Sequence, residues 1–97
     1  MLVFLFLKEG RVRETKYARE VLEPAVIKWR DNSEGRIERL LIKKTNEVEI
    51  RFSWWKAGKF VTRPLYLSED DLITLFQDAV NKNVFTNSFR SKLKFLL

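Results

Sequence analysis

The 97-residue chain has the length of one domain with a modest core, and its 45% apolar residues with only three Gly and two Pro argue against long disorder. It contains no Cys and no His, which excludes disulfides, thiolate metal sites and thiol nucleophiles, and removes the commonest general base. The net charge is +6, from 19 Lys and Arg against 13 Asp and Glu, which suits a polyanionic partner.

The N-terminal part of the chain has two weak structural signals. Residues 2–7 are apolar and predict a buried or pairing strand, with a membrane-touching segment and a partly ordered end as alternatives. This run is far shorter than the roughly 20 residues that span a bilayer, and no basic residues precede it as in a secretory signal. Residues 15–22 predict a short helix that ends before Pro24. We therefore expect a cytoplasmic protein without integral membrane association.

Four strand-like runs make up the middle of the chain. They span residues 25–30, 36–44, 48–55 and 60–67. Three to five residues separate consecutive runs, which is the spacing of antiparallel hairpins. Pro64 cannot donate a ladder hydrogen bond, so it places the fourth strand at an edge or marks a bulge. The runs therefore predict a four-stranded antiparallel meander.

The third run has the clearest periodicity. From Val48 to Trp54, apolar residues occupy every second position, which predicts a strand with one buried and one solvent-exposed face. This alternation places Trp54 in the core. Arg51 and Trp55 fall on the opposite face, which we expect to be the exposed one.

An amphipathic helix is predicted after the last strand. Ser68 is placed as its N-cap, and Asp71 stands three residues later, where a capping box usually has Glu. Apolar residues between positions 72 and 80 then fall on one helical stripe. A short last helix is predicted after residues 86–88. We expect that helix to dock on the core or on a second subunit, with a membrane or nucleic-acid contact as the alternative.

Together these elements predict an α+β fold in a single domain of residues 1–97. Its core, residues 25–82, is a four-stranded antiparallel meander followed by an amphipathic helix. Residues 1–24, with an extra strand and short helix, and residues 83–97, with a helical tail, are predicted as peripheral extensions. One helix on a lone sheet leaves much of the other face uncovered. We therefore expect dimerisation or ligand binding on that face.

The excess positive charge is concentrated on the predicted strands. Residues 36–63 hold eight Lys and Arg against three Glu, whereas residues 64–97 are neutral overall. Basic and aromatic residues interleave in this region, a combination typical of proteins that stack single-stranded bases on rings and neutralise phosphates with cations. The residues that carry this combination on the third and fourth strands and their turn are Arg51, Trp55, Lys56, Lys59 and Arg63.

One family resemblance accompanies this pattern. Residues 46–72 read NEVEIRFSWWKAGKFVTRPLYLSEDDL, with an Ile-Arg pair and aromatic residues on a strand, a Gly-containing turn, a basic strand and a helix opened by acidic residues. This segment resembles the single-stranded-DNA-binding domain of the transcriptional coactivator "positive cofactor four" family. That family has a basic pair followed by Gly before its helix, where this sequence has Thr62-Arg63-Pro64.

The resemblance implies a fold of four strands and a helix, a homodimer, and melted DNA held along the grooves of the paired sheets. It implies that the five residues above lie on the binding strands and turn. It also implies that the track extends along the first hairpin. Over both hairpins, the implied nucleic-acid-binding residues are Lys28, Arg30, Arg36, Lys43, Arg51, Trp55, Lys56, Lys59 and Arg63.

Enzyme templates are poorly matched. The sequence has no Gly-rich phosphate loop, and Asp70 and Asp71 stand where a helix needs capping carboxylates. Glu47 and Glu49 with a nearby Lys are the remaining candidate acid–base set. We therefore expect a non-catalytic protein, with no cofactor and no metal.

The sequence as a whole favours binding of single-stranded DNA or RNA by a homodimer that acts as an accessory factor in transcription or replication. The alternative is a small protein–protein interaction module whose aromatic strands form an oligomer or partner interface. Trp, Tyr and Arg are also the usual anchors of such interfaces.

Overall fold

The computed structural model describes residues 14–97. In chain order they form β1 (Ala18–Glu20), β2 (Ala25–Lys28), β3 (Ser33–Ile42), β4 (Glu47–Lys56), β5 (Lys59–Val61), α1 (Glu69–Asn81) and α2 (Asn87–Leu96). The strands make one antiparallel sheet in the order β1-β3-β4-β5, and β2 also pairs with β3. The predicted α+β class is confirmed.

The predicted meander is present, although its last strand is short. β2, β3, β4 and β5 pair in sequence order. β5 ends at Val61 rather than at residue 67, before Pro64, whose fixed φ of about −65° departs from the extended geometry of an antiparallel strand. The predicted strand over residues 2–7 lies outside the described residues.

The predicted helix over residues 15–22 is wrong. Ala18–Glu20 instead form β1, which pairs antiparallel with residues 40–42 of β3. β2 pairs with β3 only over residues 34–37, so the C-terminal half of β3 offers an edge that β1 occupies. Backbone hydrogen bonds to that edge outweigh the weak helix preference of a short segment with few apolar residues.

Residues with positive φ form the tight turns of the sheet. Ala57 and Gly58 join β4 to β5 at φ angles of 50° and 79°, the positive values that a two-residue hairpin of type I′ requires. Asn46, at φ 61°, ends the turn between β3 and β4, where Asn tolerates the left-handed region better than most residues. These turns fix the register that places Gly35 opposite Trp54.

Helix α1 packs on β2 and β3 and forms the core with them. Its N-cap is Ser68, whose Oγ accepts a hydrogen bond from Asp71 N at 3.1 Å, as the sequence predicts. Asp78 of the helix also accepts a hydrogen bond from the backbone N of Val26 at 2.9 Å, which occupies a donor of β2. The buried core consists of Ala25, Ile37, Leu75, Ala79, Val84 and Phe85.

Helix α1 covers one face of the sheet at β2 and β3, but the same face stays exposed on the neighbouring strand β4. Ile37 is fully buried in the core, whereas Phe52, directly opposite it on β4, keeps 44% of its surface exposed. A helix is about 10–12 Å across and strands lie about 4.8 Å apart, so α1 covers only two strands. The prediction of a buried apolar face on β4 is therefore wrong for Val48, Ile50 and Phe52.

The chain returns to the core between the two helices. Arg39 donates from Nε to the carbonyl O of Val84 and from Nη2 to that of Asn83, both at 2.8 Å. Thr86 is the N-cap of α2 and accepts a hydrogen bond from Phe89 N at 3.2 Å. Within residues 14–97, neither helix is long and apolar enough to cross a bilayer.

Candidate nucleic-acid interface

The face of β4 that the sequence predicts to be exposed is buried toward the C-terminal end of the strand. Trp55 keeps only 4% of its surface exposed, so the expectation of an exposed Trp55 is wrong. The guanidinium of Arg36 lies 4.1 Å from the Trp55 ring centroid, and Arg36 is itself buried. Its Nε donates to Glu34 Oε2. Arg36 is therefore held by its neighbours in the sheet and is not presented on an open surface.

Glu38 joins the other polar side chains of this face. Its fully buried carboxylate accepts hydrogen bonds from Arg51 Nε at 2.6 Å and from Arg51 Nη2 at 3.1 Å. Ser53 Oγ donates to Glu38 at 2.8 Å and accepts from Trp55 Nε1 at 2.8 Å. Hydrogen bonds of this kind offset the desolvation of a buried ion pair. Arg51 is therefore committed to Glu38, whose carboxylate raises the Arg51 pKa above its ordinary value.

Glu20 of β1 completes this buried network. Only 2% of its surface is exposed, and neither carboxylate oxygen has a hydrogen-bond partner within residues 14–97. Burial and, secondly, the nearby Glu38 carboxylate raise the pKa of Glu20 to about 8. A low-dielectric site favours the neutral carboxyl group, so Glu20 is mostly protonated at pH 7. The buried network comprises Glu20, Arg36, Glu38, Arg51, Ser53 and Trp55.

Two further cations of the predicted binding track do not lie beside the β4–β5 turn on the Trp54 face of the sheet. Lys43 is in the turn between β3 and β4, where its Nζ pairs with Glu14. The ten residues of β4 separate that turn from the β4–β5 turn, a span of about 30 Å. Lys28 lies opposite Glu34 on the face of the buried network. The predicted single track over both hairpins is therefore not formed.

The remaining predicted cations surround a groove at the β4–β5 end of the sheet, on the face that α1 also occupies. This groove, called the tryptophan groove below, has a volume of about 440 Å³. It is lined by Trp29, Arg30, Asp31, Ser33, Trp54, Leu65, Tyr66 and Asp71.

Two aromatic rings of the tryptophan groove are accessible. Trp54, which the sequence analysis assigns to the core, is only half-buried. The guanidinium of Arg63 lies 5.7 Å from its ring centroid, within the range of a cation–π contact. Tyr66 keeps 86% of its surface exposed. The groove therefore offers aromatic surface together with a cation that lies over one ring.

Two lysines extend the positive charge along the strands that border the groove. Lys56 follows Trp54 by two residues on β4, so both side chains point to the same face of the sheet. Lys59 of β5 lies directly opposite Lys56, and both are exposed. Like charges directly opposite each other destabilise a strand pair. A bound anion would relieve that repulsion.

Gly35 and Asp71 position the second indole of the groove, that of Trp29. A Cβ atom on Gly35 would lie 3.0 Å from Trp29 Cη2 and 3.3 Å from Leu65 Cδ2, so only Gly lets Trp29 lie this close to β3 without displacement. Trp29 Nε1 donates to Asp71 Oδ2 at 3.1 Å, which ties the ring to the first turn of α1. Hydrogen bonds from Ser33 lower the pKa of Asp31, so this groove residue is an anion at pH 7.

Sequence reasoning missed Trp29, Trp54 and Tyr66 as site residues. These three residues come from β2, β4 and the segment after β5, and no local pattern shows that the fold brings them together. One usable signal was the hairpin register, because it places Gly35 opposite Trp54 and so leaves space over the strand for a large ring.

The described part of the chain, residues 14–97, contains no group of three or more Asp or Glu side chains placed to hold a metal ion. Comparison of the chain with models of known protein families, with curated proteins and with solved structures finds no match. The function is therefore argued from the geometry of the tryptophan groove and its cations.

Proposed function

We propose that this protein binds single-stranded nucleic acid at the tryptophan groove and catalyses no reaction. The observation that carries the proposal is the half-exposed Trp54 indole with the Arg63 guanidinium 5.7 Å from its ring centroid. Arg30, Lys56 and Lys59 supply further positive charge around the same groove. Aromatic faces bordered by cations are what proteins use to bind single strands with little sequence preference.

The groove suits a base on its aromatic surface and phosphates on its border. Its volume of about 440 Å³ falls within the roughly 300–1,000 Å³ of small-ligand sites. A base that stacks on Trp54 or Tyr66 gains about 1–3 kcal/mol, and the flanking phosphates neutralise Lys56, Lys59 and Arg63. The negative charge of Asp31 disfavours a phosphate inside the groove. The sugar–phosphate backbone of the nucleic acid is therefore directed to the border of the groove.

This proposal keeps the ligand class that the positive cofactor four resemblance implies but moves the binding surface. The ligand contacts the Trp54 face of the sheet, because Trp55, Arg36 and Arg51 are engaged in the buried network. A role as an accessory factor in transcription or replication belongs to the same proposal.

The test is a titration of fluorescently labelled single-stranded oligonucleotides, DNA and RNA in separate series, followed by anisotropy at several salt concentrations. Trp54→Ala should weaken binding about 5- to 150-fold, the equivalent of one stacked base. Lys44→Ala is the control, because it removes an exposed lysine from the β3–β4 turn, far from the groove. Equal effects of the two variants, or no binding by the wild-type protein at low salt, would overturn the proposal.

A second candidate function is a protein–protein interaction module. The specific observation in its favour is the exposed apolar surface of β4, where Val48, Ile50 and Phe52 keep 47%, 37% and 44% of their surfaces exposed. Purification after nuclease treatment separates the two candidates. An interaction module retains a protein partner and shows no affinity for oligonucleotides.

A further inference from the structure

Among residues 14–97, no strand covers most of the outer edge of β4. β5 pairs only with Trp54, Trp55 and Lys56. Within residues 14–97, no strand pairs with β4 residues 47–53 on that side. These seven residues include no Lys and no Pro, the residues that commonly protect an edge strand. An open edge of this length is a template for another strand.

The hydrogen-bonding direction of each edge residue follows from the turn. Ala57 directly follows β4, and its N donates to Asn32 O at 2.9 Å, so the backbone groups of Ala57 face β3. Because this direction alternates along a strand, the odd-numbered residues of β4 also direct their backbone groups toward β3. The even-numbered residues Val48, Ile50 and Phe52 therefore direct N–H and C=O groups to the open edge. Their side chains also share one face of the sheet. The edge thus combines unpaired backbone groups with a row of exposed apolar side chains.

We propose that a second copy of this chain pairs antiparallel with this edge, with Ile50 opposite the partner's Ile50. The inference concerns residues outside the tryptophan groove and does not depend on nucleic-acid binding. In this register the backbone groups of Val48, Ile50 and Phe52 in each copy meet those of the other copy. All the outward groups at these three positions are then paired.

The charged residues of β4 favour this register over the two adjacent registers, which are centred on Glu49 and on Arg51. A shift that centres the two-fold axis on Glu49 would place Glu49 opposite the partner's Glu49. A shift that centres it on Arg51 would place two arginines opposite each other. Centring on Ile50 instead places Glu49 opposite the partner's Arg51, and opposite charges across a strand pair stabilise it whereas like charges destabilise it.

The apolar side chains also match in this register. Val48 lies opposite the partner's Phe52, and Ile50 lies beside the partner's Ile50 on the same face. Phe89 of α2 borders Val48 and Ile50 in a shallow groove of about 210 Å³. Pairing would therefore join two short apolar rows into one surface, on the part of the Trp54 face that α1 does not cover. A second copy is the occupant that meets these side chains, charges and backbone groups at once.

Single-cysteine cross-linking tests the register, because the chain contains no Cys. Ile50→Cys places the two Cα atoms about 5.5 Å apart, within the range of a disulfide. Val48→Cys is the matched control on the same face of the same strand, and its two Cα atoms would be about 14 Å apart. We expect mild oxidation to give a covalent dimer of Ile50→Cys only, and a mixture of Val48→Cys with Phe52→Cys to give a mixed dimer.

Sedimentation of the wild-type protein and of Glu49→Arg supplies an independent readout. The variant places Arg opposite the partner's Arg51 on both sides of the axis, so it should weaken the dimer while the circular dichroism spectrum stays the same. A wild-type protein that remains monomeric at every concentration, or equal cross-linking of Ile50→Cys and Val48→Cys, would overturn the inference. Oligonucleotide binding by a monomeric wild-type protein would refute the dimer alone and leave the proposed function standing.

Discussion

Replacement of Glu20 by Gln is expected to stabilise the protein increasingly as the pH rises from about 5 to about 8. Glu20 is 2% exposed, its oxygens have no hydrogen-bond partner within residues 14–97, and the Glu38 carboxylate is nearby. Burial and the Glu38 charge raise the Glu20 pKa from 4.5 to about 8. Glu20→Gln keeps the shape of the side chain and removes the titration.

The sign and size follow from proton linkage. Between the unfolded pKa near 4.5 and the folded pKa of about 8, the folded protein holds a proton that the unfolded chain has lost. The free energy of unfolding therefore falls as the pH rises, by at most about 1.4 kcal/mol per pH unit for one proton. Between pH 5.5 and 7.5, the wild-type protein should lose roughly 2–3 kcal/mol relative to Glu20→Gln.

Urea unfolding at several pH values, followed by circular dichroism, measures this difference. Glu23→Gln is the matched control, because the Glu23 carboxylate is exposed and its ion pair with Lys82 Nζ, at 3.6 Å, lies at the surface. A difference between Glu20→Gln and wild type that stays constant from pH 5.5 to 7.5 would refute the raised pKa. A difference that falls with increasing pH would refute the sign of the argument.

Three further changes have defined expected effects. Gly35→Ala should displace the Trp29 ring, because the added Cβ lies 3.0 Å from Cη2, and lower the free energy of unfolding by about 1–3 kcal/mol with a shift in tryptophan emission. Lys59→Ala should reduce the slope of log affinity for a single strand against log salt by about 0.7, measured by oligonucleotide anisotropy. Ser68→Ala should lower the free energy of unfolding by about 0.5–2 kcal/mol in urea melts, because Asp71 N loses its capping acceptor.

Matched control variants separate these local effects from nonspecific destabilisation of the fold. Lys44→Ala should leave the salt slope unchanged, since Lys44 lies in the β3–β4 turn, and an equal change in both lysine variants would contradict a local site. Ser88→Ala removes an exposed hydroxyl from the first turn of α2 and should alter stability little. A cap role for Ser68 is wrong if both serine variants have the same stability. Unaltered tryptophan emission in Gly35→Ala would show that Trp29 is not held against β3.

The sequence by itself determined the local structure of this protein. Strand-like runs bounded by turn residues predicted the strands now seen as β2, β3 and β4, with clear alternation in β4, and Ser68 with Asp71 marked the start of α1. These features could be predicted because the decisive interactions join residues close in sequence, such as the hydrogen bond from Asp71 N to Ser68 Oγ at 3.1 Å. The element order and the α+β class follow from such local patterns.

Only the tertiary structure decided which faces are covered and where the cations point. The two-residue period of a strand shows that Trp54 and Trp55 lie on opposite faces of β4, but it does not show which face another element buries. Contacts between residues distant in sequence settled this. α1 stops at β3 and leaves the Trp54 face of β4 partly open, while Glu38 binds Arg51 across the hairpin and Arg36 stacks on Trp55. The candidate site therefore moved from Trp55 to Trp54, because pairing and burial between distant segments fix the environment of each side chain.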